Sequence, residues 1–432
     1  MKLYIPIKTI NAEINLPASK SISNRALIIN ALSQKSQPPS PSGLPPQGEE
    51  KGKDFIQNLS DSDDTQVLQR ALTSDDTHFD IGASGTAMRF LTAFLAQKPG
   101  GWTITGSERM KQRPIKILVD ALNTLGAKIE YLEKDGFPPL KIIGNQLAGG
   151  EISLNGGVSS QYVSALMMIA PYMERGLKMR LEGEIVSKPY IEMTLKMMRE
   201  FGANASFSEN TIDIKPVHYK PAAFRVEPDW SSASYWYAIM AVAGSEKIFL
   251  PGLRKNSLQG DSKLTELFDY LEIKTECCDA GVTICSEYRS TSVPLKELRY
   301  NFVNEPDLVQ TFAVICCLKS IPFEFSGLQS LKIKETDRIS ALITELRKFG
   351  YVLREFPENT LIWNGERCQA QENPSVATYD DHRMAMAFAP IALTQTIEIQ
   401  HPEVVTKSYP KFWEDLDRIK SQEPRTKTFD SE

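Results

Sequence analysis

Four stretches of the chain share one order of hydrophobic and polar positions. In each, apolar residues recur every three or four positions, and two short alternating runs follow around a polar turn. The first period is typical of an amphipathic helix and the second of half-buried strands. A glycine follows three of the helical runs, where a left-handed residue commonly ends a helix, and Glu272 stands there in the remaining one. The pattern predicts a repeated helix and strand hairpin over residues 118–144, 194–216, 264–286 and 342–365.

The spacing of these stretches predicts the fold class. They begin about 70 to 80 residues apart, so each repeat holds more than one helix and is too long for a solenoid of short units. Residues 65–80 and 412–421 resemble incomplete copies, which would bring the total to six, with three in each half. Alternating strands and helices predict an α/β (α+β) architecture, and a length of 432 residues predicts two domains.

Two polar segments are predicted to lie outside this framework. Residues 34–53 are rich in proline and glycine and cannot bury a core, so we expect a surface insertion. Residues 422–432 are polar as well, and we expect a flexible tail.

Composition narrows the class of protein. Hydrophobic residues make up 41% and charged residues 24%, as in ordinary soluble globular proteins. No apolar run is long enough for a membrane span, and the start of the chain lacks the order of a signal peptide. The six cysteines have no metal-ligand spacing, which favours a reduced, cytoplasmic protein without a metal. A net charge of −5 argues against nucleic acid as the main partner.

The segment LPASKSISNRAL, residues 16–27, concentrates groups that bind anions. A loop of small residues leads into an apolar run, so a helix is predicted to begin near Ser23 with free N–H groups at its start. Lys20 and Arg25 add two positive charges, and Ser21 adds a neutral donor. For this segment alone, a capped helix with both cations in water is an equally good interpretation.

Several further segments place polar or cationic residues just before predicted helices. DIGASGTAMR, residues 80–89, is a glycine-rich loop in which Thr86 could cap the next helix. Three cations in 109–114 precede another helix, where positive charge is unfavourable unless an anion binds. The clusters at 158–162 and 187–190 could bind oxygens of a polyol or phosphate, or could merely cap helices.

The second half contains three such segments. In KETDR, residues 334–338, Lys334 and Arg338 would share a helix face if a helix ran through them, although an exposed salt-bridged turn is the alternative. DDHR, residues 380–383, places a histidine beside an arginine ahead of an apolar run, and Lys407 precedes the last predicted helix. Asp307 and Glu335 are candidate acid–base carboxylates. Together these segments indicate a site for a polyanion, without a metal or organic cofactor.

In this order and spacing, the motifs resemble those of the 5-enolpyruvylshikimate-3-phosphate synthase family. The resemblance spans residues 3 to about 420, and no single motif would suffice. The segments that carry it are LPASKSISNRAL, SDSDD, GTAMR, ERMKQRPI, VSSQYVSALMMIAP, VSKPYIEMTL, SSASYW, RKNSLQGD, KETDR, TYDDHRMAM and TKSYP.

The resemblance implies a fold and a reaction. The family has two similar domains of βαβαββ units, an inside-out α/β barrel around a cleft. This assigns residues 17–228 to an N-terminal domain with a trimmed first unit, and residues 1–16 plus 229–421 to a C-terminal domain. The family transfers the enolpyruvyl group of phosphoenolpyruvate to the 5-hydroxyl of shikimate 3-phosphate, through a tetrahedral intermediate, and releases phosphate. A monomer is expected, with these two small molecules as its partners.

The resemblance also assigns residues to roles. Asp307 and Glu335, assisted by Lys20, match the family's proton-transfer groups. The match to the shikimate 3-phosphate site comprises Lys20, Ser21, Arg25, Ser159, Ser160, Gln161, Ser187, Tyr190, Asp307, Ser330 and Lys334. The match to the phosphoenolpyruvate site comprises Lys20, Gly85, Arg113, Gln161, Arg338, Arg383 and Lys407.

The sequence departs from the family pattern at three places in these motifs. Ala83 and Ser330 stand where the family has asparagine, and Phe90 stands where proline is common. Ala83 and Phe90 belong to the loop of the donor pocket, where glyphosate inhibits many members of the family.

Two alternatives remain at the level of sequence. The first is the related enolpyruvyl transferase that acts on UDP-N-acetylglucosamine. It usually has a loop cysteine, and residues 102–114 contain none. The second is a non-catalytic anion-binding relative, which would be expected to lack Asp307, Glu335 or Lys20.

Overall fold

The computed structural model of the protein describes residues 1–5, 10–34, 55–244, 246–286, 295–357 and 359–420. The predicted insertion, apart from Gln34, and the predicted tail lie outside these residues.

The chain divides into two compact units by its internal contacts. The terminal unit comprises Met1–Pro17, Pro228–Ser257 and the chain from Asp261 onward. The inner unit comprises Ala18–Glu227 and Leu258–Gly260.

The described residues form helices over the four predicted amphipathic runs and over further stretches between them. In chain order they are α1 (Lys20–Gln34), α2 (Asp63–Thr73), α3 (Gly85–Ala96), α4 (Lys116–Thr124), α5 (Ser160–Ile169), α6 (Lys188–Glu200), α7 (Trp230–Ala243), α8 (Leu264–Asp269), α9 (Val309–Leu318), α10 (Arg338–Lys348), α11 (His382–Phe388) and α12 (Phe412–Lys420). None of the described helices is long and apolar enough to cross a membrane.

The strands are short and are distributed along the whole chain. In chain order they are β1 (Lys2–Leu3), β2 (Ile10–Glu13), β3 (Ile56–Gln57), β4 (His78–Asp80), β5 (Gly100–Thr105), β6 (Lys128–Tyr131), β7 (Leu140–Gly144), β8 (Gly150–Asn155), β9 (Leu177–Glu182), β10 (Ala205–Ser208), β11 (Thr211–Ile214), β12 (Phe224–Arg225), β13 (Glu246–Pro251), β14 (Ile273–Cys278), β15 (Gly281–Ser286), β16 (Leu298–Asn301), β17 (Phe323–Ser326), β18 (Arg354–Phe356), β19 (Thr360–Trp363), β20 (Ser375–Val376) and β21 (Ile397–Ile399).

One strand order recurs in the four-stranded sheets. The orders are β4-β5-β7-β6, β8-β9-β11-β10, β2-β13-β15-β14 and β16-β17-β19-β18. In each sheet the first two strands are parallel and the last two form an antiparallel hairpin, as in β4, β5, β6 and β7. In three of these sheets a helix connects the first two strands, and a second helix leads into the hairpin. In the sheet of β2 and β13 the inner unit lies between these strands in the chain, and α7 directly precedes β13, so the order βαβαββ recurs there with an insertion. The four hairpins are those predicted from hydrophobic alternation.

Each unit has its own hydrophobic core built around buried helices. In the inner unit α3 and α5 are buried on nearly every face, and in the terminal unit α7, α9 and α11 are. A helix that is apolar all round requires neighbours on all sides. The strands around these helices alternate buried and exposed residues, as in β9, so one face of each sheet covers the helices.

The helix ends agree with the sequence pattern, whereas several helix starts differ. Gly126, Gly202 and Gly350 have φ of 104°, 85° and 87°, and Glu272 has a φ of 63°. The left-handed C-terminal residue is therefore kept even where glycine is absent. The prediction that α1 begins near Ser23 was wrong: Ser23 N–H already bonds to the Ser19 carbonyl at 2.9 Å, which brings Lys20 into the helix.

The capping contacts of two other helices correct the predictions made for their starts. Ser84, rather than Thr86, caps α3 by accepting from the backbone N–H of Ala87. Asp337 caps α10, so this helix begins at Arg338 and leaves Lys334 in extended backbone before it. The idea that Lys334 and Arg338 share a helix face was therefore wrong.

Candidate active site

Arg25 lies inside the inner unit, where its guanidinium meets neutral partners. It donates to Thr194 Oγ1 at 2.7 Å, to the Ser21 carbonyl at 2.9 Å and to Ser164 Oγ at 3.0 Å. Burial lowers the pKa of Arg25 to about 10. A buried cation with neutral partners favours an incoming anion.

Two aromatic rings also contact this guanidinium. Its central carbon lies 5.3 Å from the centre of the Phe90 ring and 5.8 Å from that of Tyr190. These distances are typical of cation–π contacts. Phe90, a departure from the family pattern, thus helps to position Arg25.

Lys20, the first residue of α1, pairs with a carboxylate that the predicted site does not include. Its Nζ lies 3.1 Å from Asp64 Oδ2, and the Asp64 side chain is 5% exposed. Asp64 belongs to the motif SDSDD, residues 60–64, to which the sequence analysis assigned no site residue. This acidic run is the feature of the sequence that could have indicated a partner for Lys20. We infer that Asp64 fixes the position of the ammonium group.

The glycine-rich loop packs directly against Arg113. A methyl group at Gly85 would lie 2.6 to 2.9 Å from three guanidinium atoms of Arg113, closer than contact distance. Arg89 supports both segments, because it donates to the carbonyls of Gly85 and Pro114 at 3.2 Å each. Tyr162 also donates to Pro114. Gly85 and Arg113, two residues predicted for one ligand, therefore lie together.

The serine-rich helix starts contribute further polar groups of the inner unit. Ser159 caps α5 by accepting from the backbone N–H of Gln161, and Gln161 Nε2 donates to Thr86 Oγ1 at 3.3 Å. Ser160 and Ser187 are buried, and Ser187 has a left-handed φ of 57° just before α6. Gln161 thus lies beside the start of α3.

Arg338 is the centre of a charge cluster in the terminal unit. Its side chain is 2% exposed and contacts Asp307 at 3.0 Å, Glu335 at 3.0 Å and Asp381 at 2.7 Å. Burial by itself would lower the pKa of Arg338, but these carboxylates raise it above its usual range. One arginine therefore fixes both candidate acid–base carboxylates.

The two candidate carboxylates have different second partners. Asp307 also contacts Arg383 NH2 at 2.9 Å and Lys334 Nζ at 3.9 Å. Glu335 contacts Lys407 Nζ at 3.4 Å. Desolvation lowers the pKa of Lys334. Among the described residues, these contacts bring four cations together with three carboxylates.

Asp381 was missed by the sequence analysis, although DDHR was recognised. It caps α11 by accepting from the backbone N–H of Arg383 at 2.9 Å, and it also bonds to Arg338. Its side chain is fully buried. The motif places a capping carboxylate beside a predicted ligand-binding arginine, but only the fold shows that it contacts Arg338.

Ser330 completes the predicted set of the terminal unit. Its hydroxyl is buried, and among the described residues it has no hydrogen-bond partner. No group of three or more histidine, cysteine or acidic residues in the described part of the chain could hold a metal ion.

Asp261 is a buried carboxyl group near this cluster. Ser231 donates to Oδ2, and Oδ1 has no hydrogen-bond partner among the residues that the structure describes. Burial raises the pKa of Asp261 from 3.8 to about 7, and Asp307 contributes in the same direction. The carboxyl is therefore more difficult to ionise in the folded protein than in the unfolded chain.

This shift predicts a pH-dependent stability. Between about pH 4 and 7 Asp261 is ionised in the unfolded chain but protonated in the native protein. Each pH unit of increase across this range therefore lowers the free energy of unfolding by ~1.4 kcal/mol. Asp261→Asn is expected to remove this loss, so that its advantage grows from pH 4 to 7 and then stays constant. Thermal unfolding of wild type and Asp261→Asn at pH 4.5, 6 and 8 would measure this stability difference. A stability difference that does not change with pH would contradict the raised pKa of Asp261.

The chain is similar to known proteins in both sequence and fold. A family model described as EPSP synthase (3-phosphoshikimate 1-carboxyvinyltransferase) matches residues 5–416. The chain is 53% identical over 409 residues to the 3-phosphoshikimate 1-carboxyvinyltransferase of Bacteroides fragilis (strain YCH46), covering 94% of this chain and 95% of that protein. It is 36% identical over 441 residues to the protein of the same name from Vibrio vulnificus (strain YJ016), covering 95% of this chain and 97% of that protein.

The fold has solved counterparts as well. An EPSP synthase from Acinetobacter baumannii matches with a TM-score of 0.72 at 19% identity, covering 97% of this chain and 98% of that chain. A second structure of an EPSP synthase from that organism matches with a TM-score of 0.71 at 18% identity. The predicted α/β class of repeated βαβαββ units is thereby confirmed.

Proposed function

Because this chain belongs to the EPSP synthase family, we propose that it transfers the enolpyruvyl group of phosphoenolpyruvate to the 5-hydroxyl of shikimate 3-phosphate and releases phosphate. The observation that carries this proposal is the Arg338 cluster. A single buried guanidinium holds Asp307 and Glu335, and three further cations surround them. Such a cluster can bind a phosphate or carboxylate and also provide carboxylates for proton transfer.

The proposed chemistry needs two proton transfers in the addition step. The 5-hydroxyl attacks C2 of phosphoenolpyruvate and loses its proton, while C3 gains one; elimination then removes a proton from C3 as phosphate leaves. Asp307 and Glu335, assisted by Lys20, are the groups we propose for these transfers. Their different partners give the two carboxylates different surroundings, which can separate acid and base roles.

The anion-binding residues are proposed to divide by ligand. Arg25, Ser21, Ser159, Ser160, Gln161, Ser187 and Tyr190 of the inner unit would bind shikimate 3-phosphate, together with Lys20 and with Asp307, Ser330 and Lys334 of the terminal unit. Gly85, Arg113, Arg338, Arg383 and Lys407 would bind phosphoenolpyruvate, together with Lys20 and Gln161. The neutral partners of Arg25 and the concentration of cations around Asp307 and Glu335 support anion binding in both units.

Further properties belong to the same proposal. We propose that residues 17–228 form one domain, and residues 1–16 with 229–421 the other, and that both act on the same pair of substrates. The composition favours a cytoplasmic protein that needs no metal or organic cofactor and binds neither nucleic acid nor membrane, and the resemblance to the family implies a monomer. The absence of a loop cysteine in 102–114 weighs against UDP-N-acetylglucosamine as acceptor.

A phosphate-release assay tests the proposal. Release is expected only when both phosphoenolpyruvate and shikimate 3-phosphate are present. Two further reactions, one without acceptor and one with UDP-N-acetylglucosamine, separate the alternatives. Release from phosphoenolpyruvate with UDP-N-acetylglucosamine but not with shikimate 3-phosphate would favour the related transferase, and no release in any reaction would favour a non-catalytic protein.

Gly85→Ala tests the proposed donor pocket. The added methyl would displace the Arg113 guanidinium, so KM for phosphoenolpyruvate should rise, and the longer inhibitor glyphosate should lose more affinity than the substrate. KM for phosphoenolpyruvate and the inhibition constant of glyphosate are measured in both proteins, and the two fold-changes are compared. Gly101→Ala is a matched control, because a methyl there meets nothing within 4 Å. Equal proportional changes in KM for phosphoenolpyruvate and in the inhibition constant of glyphosate would show that Gly85 does not line the donor pocket.

A further inference from the structure

A turn ahead of α11 holds two residues in a backbone conformation that bulky side chains rarely adopt. Tyr379 and Asp380 have φ of 55° and 54°, and the N–H of Asp381 donates to the carbonyl of Thr378. Left-handed residues at both central positions are typical of a mirror-image turn, which glycine, asparagine and aspartate favour. A tyrosine at the first position is therefore strained, and contacts outside the turn must hold it there.

Glu345 of α10 provides those contacts. Its carboxylate is fully buried, accepts from the Tyr379 hydroxyl at 2.7 Å and accepts from the Ala377 N–H at 3.0 Å. Lys348, one turn further along α10, donates to Glu345 at 2.6 Å and to the Ser375 carbonyl at 2.9 Å. Two residues of one helix thus bond residues 375–379, which lead into the turn, at three points.

The other end of the turn meets the same helix. Asp381, which closes the turn, accepts from Arg338 at 2.7 and 3.4 Å, and Arg338 is the first residue of α10. Arg338 in turn donates to Asp307. The α10 helix therefore holds the segment 375–381 at both ends, once through its active-site arginine and once through Glu345.

We propose that Glu345 is a positioning residue for the phosphoenolpyruvate site: its bonds to Ala377 and Tyr379 fix the turn that places Asp381 against Arg338 and Arg383 beside Asp307. This inference rests on the proposed function. If the turn relaxed, Asp381 would withdraw from Arg338, and the two arginines would lose their alignment. Shikimate 3-phosphate would be less affected, because most of its proposed ligands lie in the inner unit.

Steady-state kinetics of Tyr379→Phe test this role with little change of shape. The loss of one hydroxyl is expected to raise KM for phosphoenolpyruvate about 3- to 10-fold and to leave KM for shikimate 3-phosphate within twofold. Glu345→Gln should show the same selectivity with a larger effect. A residue that only stabilised the fold would reduce the active fraction, which lowers kcat and leaves both KM values unchanged.

Tyr237→Phe is the matched control. It also removes a tyrosine hydroxyl of the terminal unit, one that shares a hydrogen bond of 3.0 Å with Thr275. Its Tm is expected to fall while both KM values stay at wild-type levels. Unchanged KM values in Tyr379→Phe, or the same selective rise in Tyr237→Phe, would overturn the positioning role. An inactive wild-type protein would instead reject the proposed function, and the positioning role with it.

Discussion

Asp307→Asn is expected to lower kcat by about 10²-fold or more, the usual range for a group that transfers a proton in the rate-determining step. Asparagine keeps the size of the side chain and its hydrogen-bonding capacity but cannot accept the substrate proton. Asp307 also neutralises part of the charge on Arg338, Arg383 and Lys334. Its loss leaves these cations with more net positive charge, so KM for phosphoenolpyruvate should stay constant or fall.

A fall in kcat without a rise in KM separates catalysis from binding. Replacement of a residue that only binds the donor would raise KM and leave kcat unchanged. Single-turnover measurements with both substrates would show whether the slow step is the chemical one. A raised KM with normal kcat in Asp307→Asn would reassign this carboxylate to binding. Glu335→Gln should follow the same pattern if both carboxylates move protons.

Glu305→Gln is the matched control for Asp307→Asn. Glu305 lies two residues earlier, is buried, and accepts from the Tyr300 hydroxyl at 3.0 Å. Burial raises the pKa of Glu305. Its replacement changes a buried carboxyl group of the same turn without touching the Arg338 cluster, so kcat is expected to remain within about twofold of wild type.

Arg338→Ala is expected to affect stability and donor binding together. Three carboxylates contact this guanidinium, and its removal leaves them close to one another without their shared cation. Loss of one partner of a buried ion pair typically costs about 3 to 5 kcal/mol. The lost charged hydrogen bonds to the donor are expected to raise KM for phosphoenolpyruvate by about 10- to 100-fold.

Urea unfolding and donor titration measure these two effects separately. Arg338→Lys keeps the charge but has no planar fork, so it cannot bond to three carboxylates in fixed directions, and an intermediate effect is expected. Arg354→Ala is the exposed control, because its pair with Glu366 lies on the surface and should contribute less than about 1 kcal/mol. Wild-type donor affinity in a folded Arg338→Ala protein would contradict the proposed role.

Much of the repeated architecture could be predicted from hydrophobic periodicity. Each hairpin and most helices follow the pattern because one face of every sheet packs against buried helices. The helix starts were less predictable, since capping depends on single hydrogen bonds such as that from Ala87 to Ser84. A helix boundary is decided by the local path of the chain as much as by residue type.

The sequence by itself therefore determined the repeat, the class of fold and the set of cationic and acidic motifs, because periodicity and motif composition are local properties. Only the tertiary structure decided which of those charges meet. Arg338 contacts Asp381 across 43 positions of the chain, and Lys20 contacts Asp64 across a segment that the sequence assigns to an insertion. Such pairs form where the start of α10 meets the turn ahead of α11, and where α1 packs against α2. Their partners depend on how the helices pack, which periodicity alone does not specify.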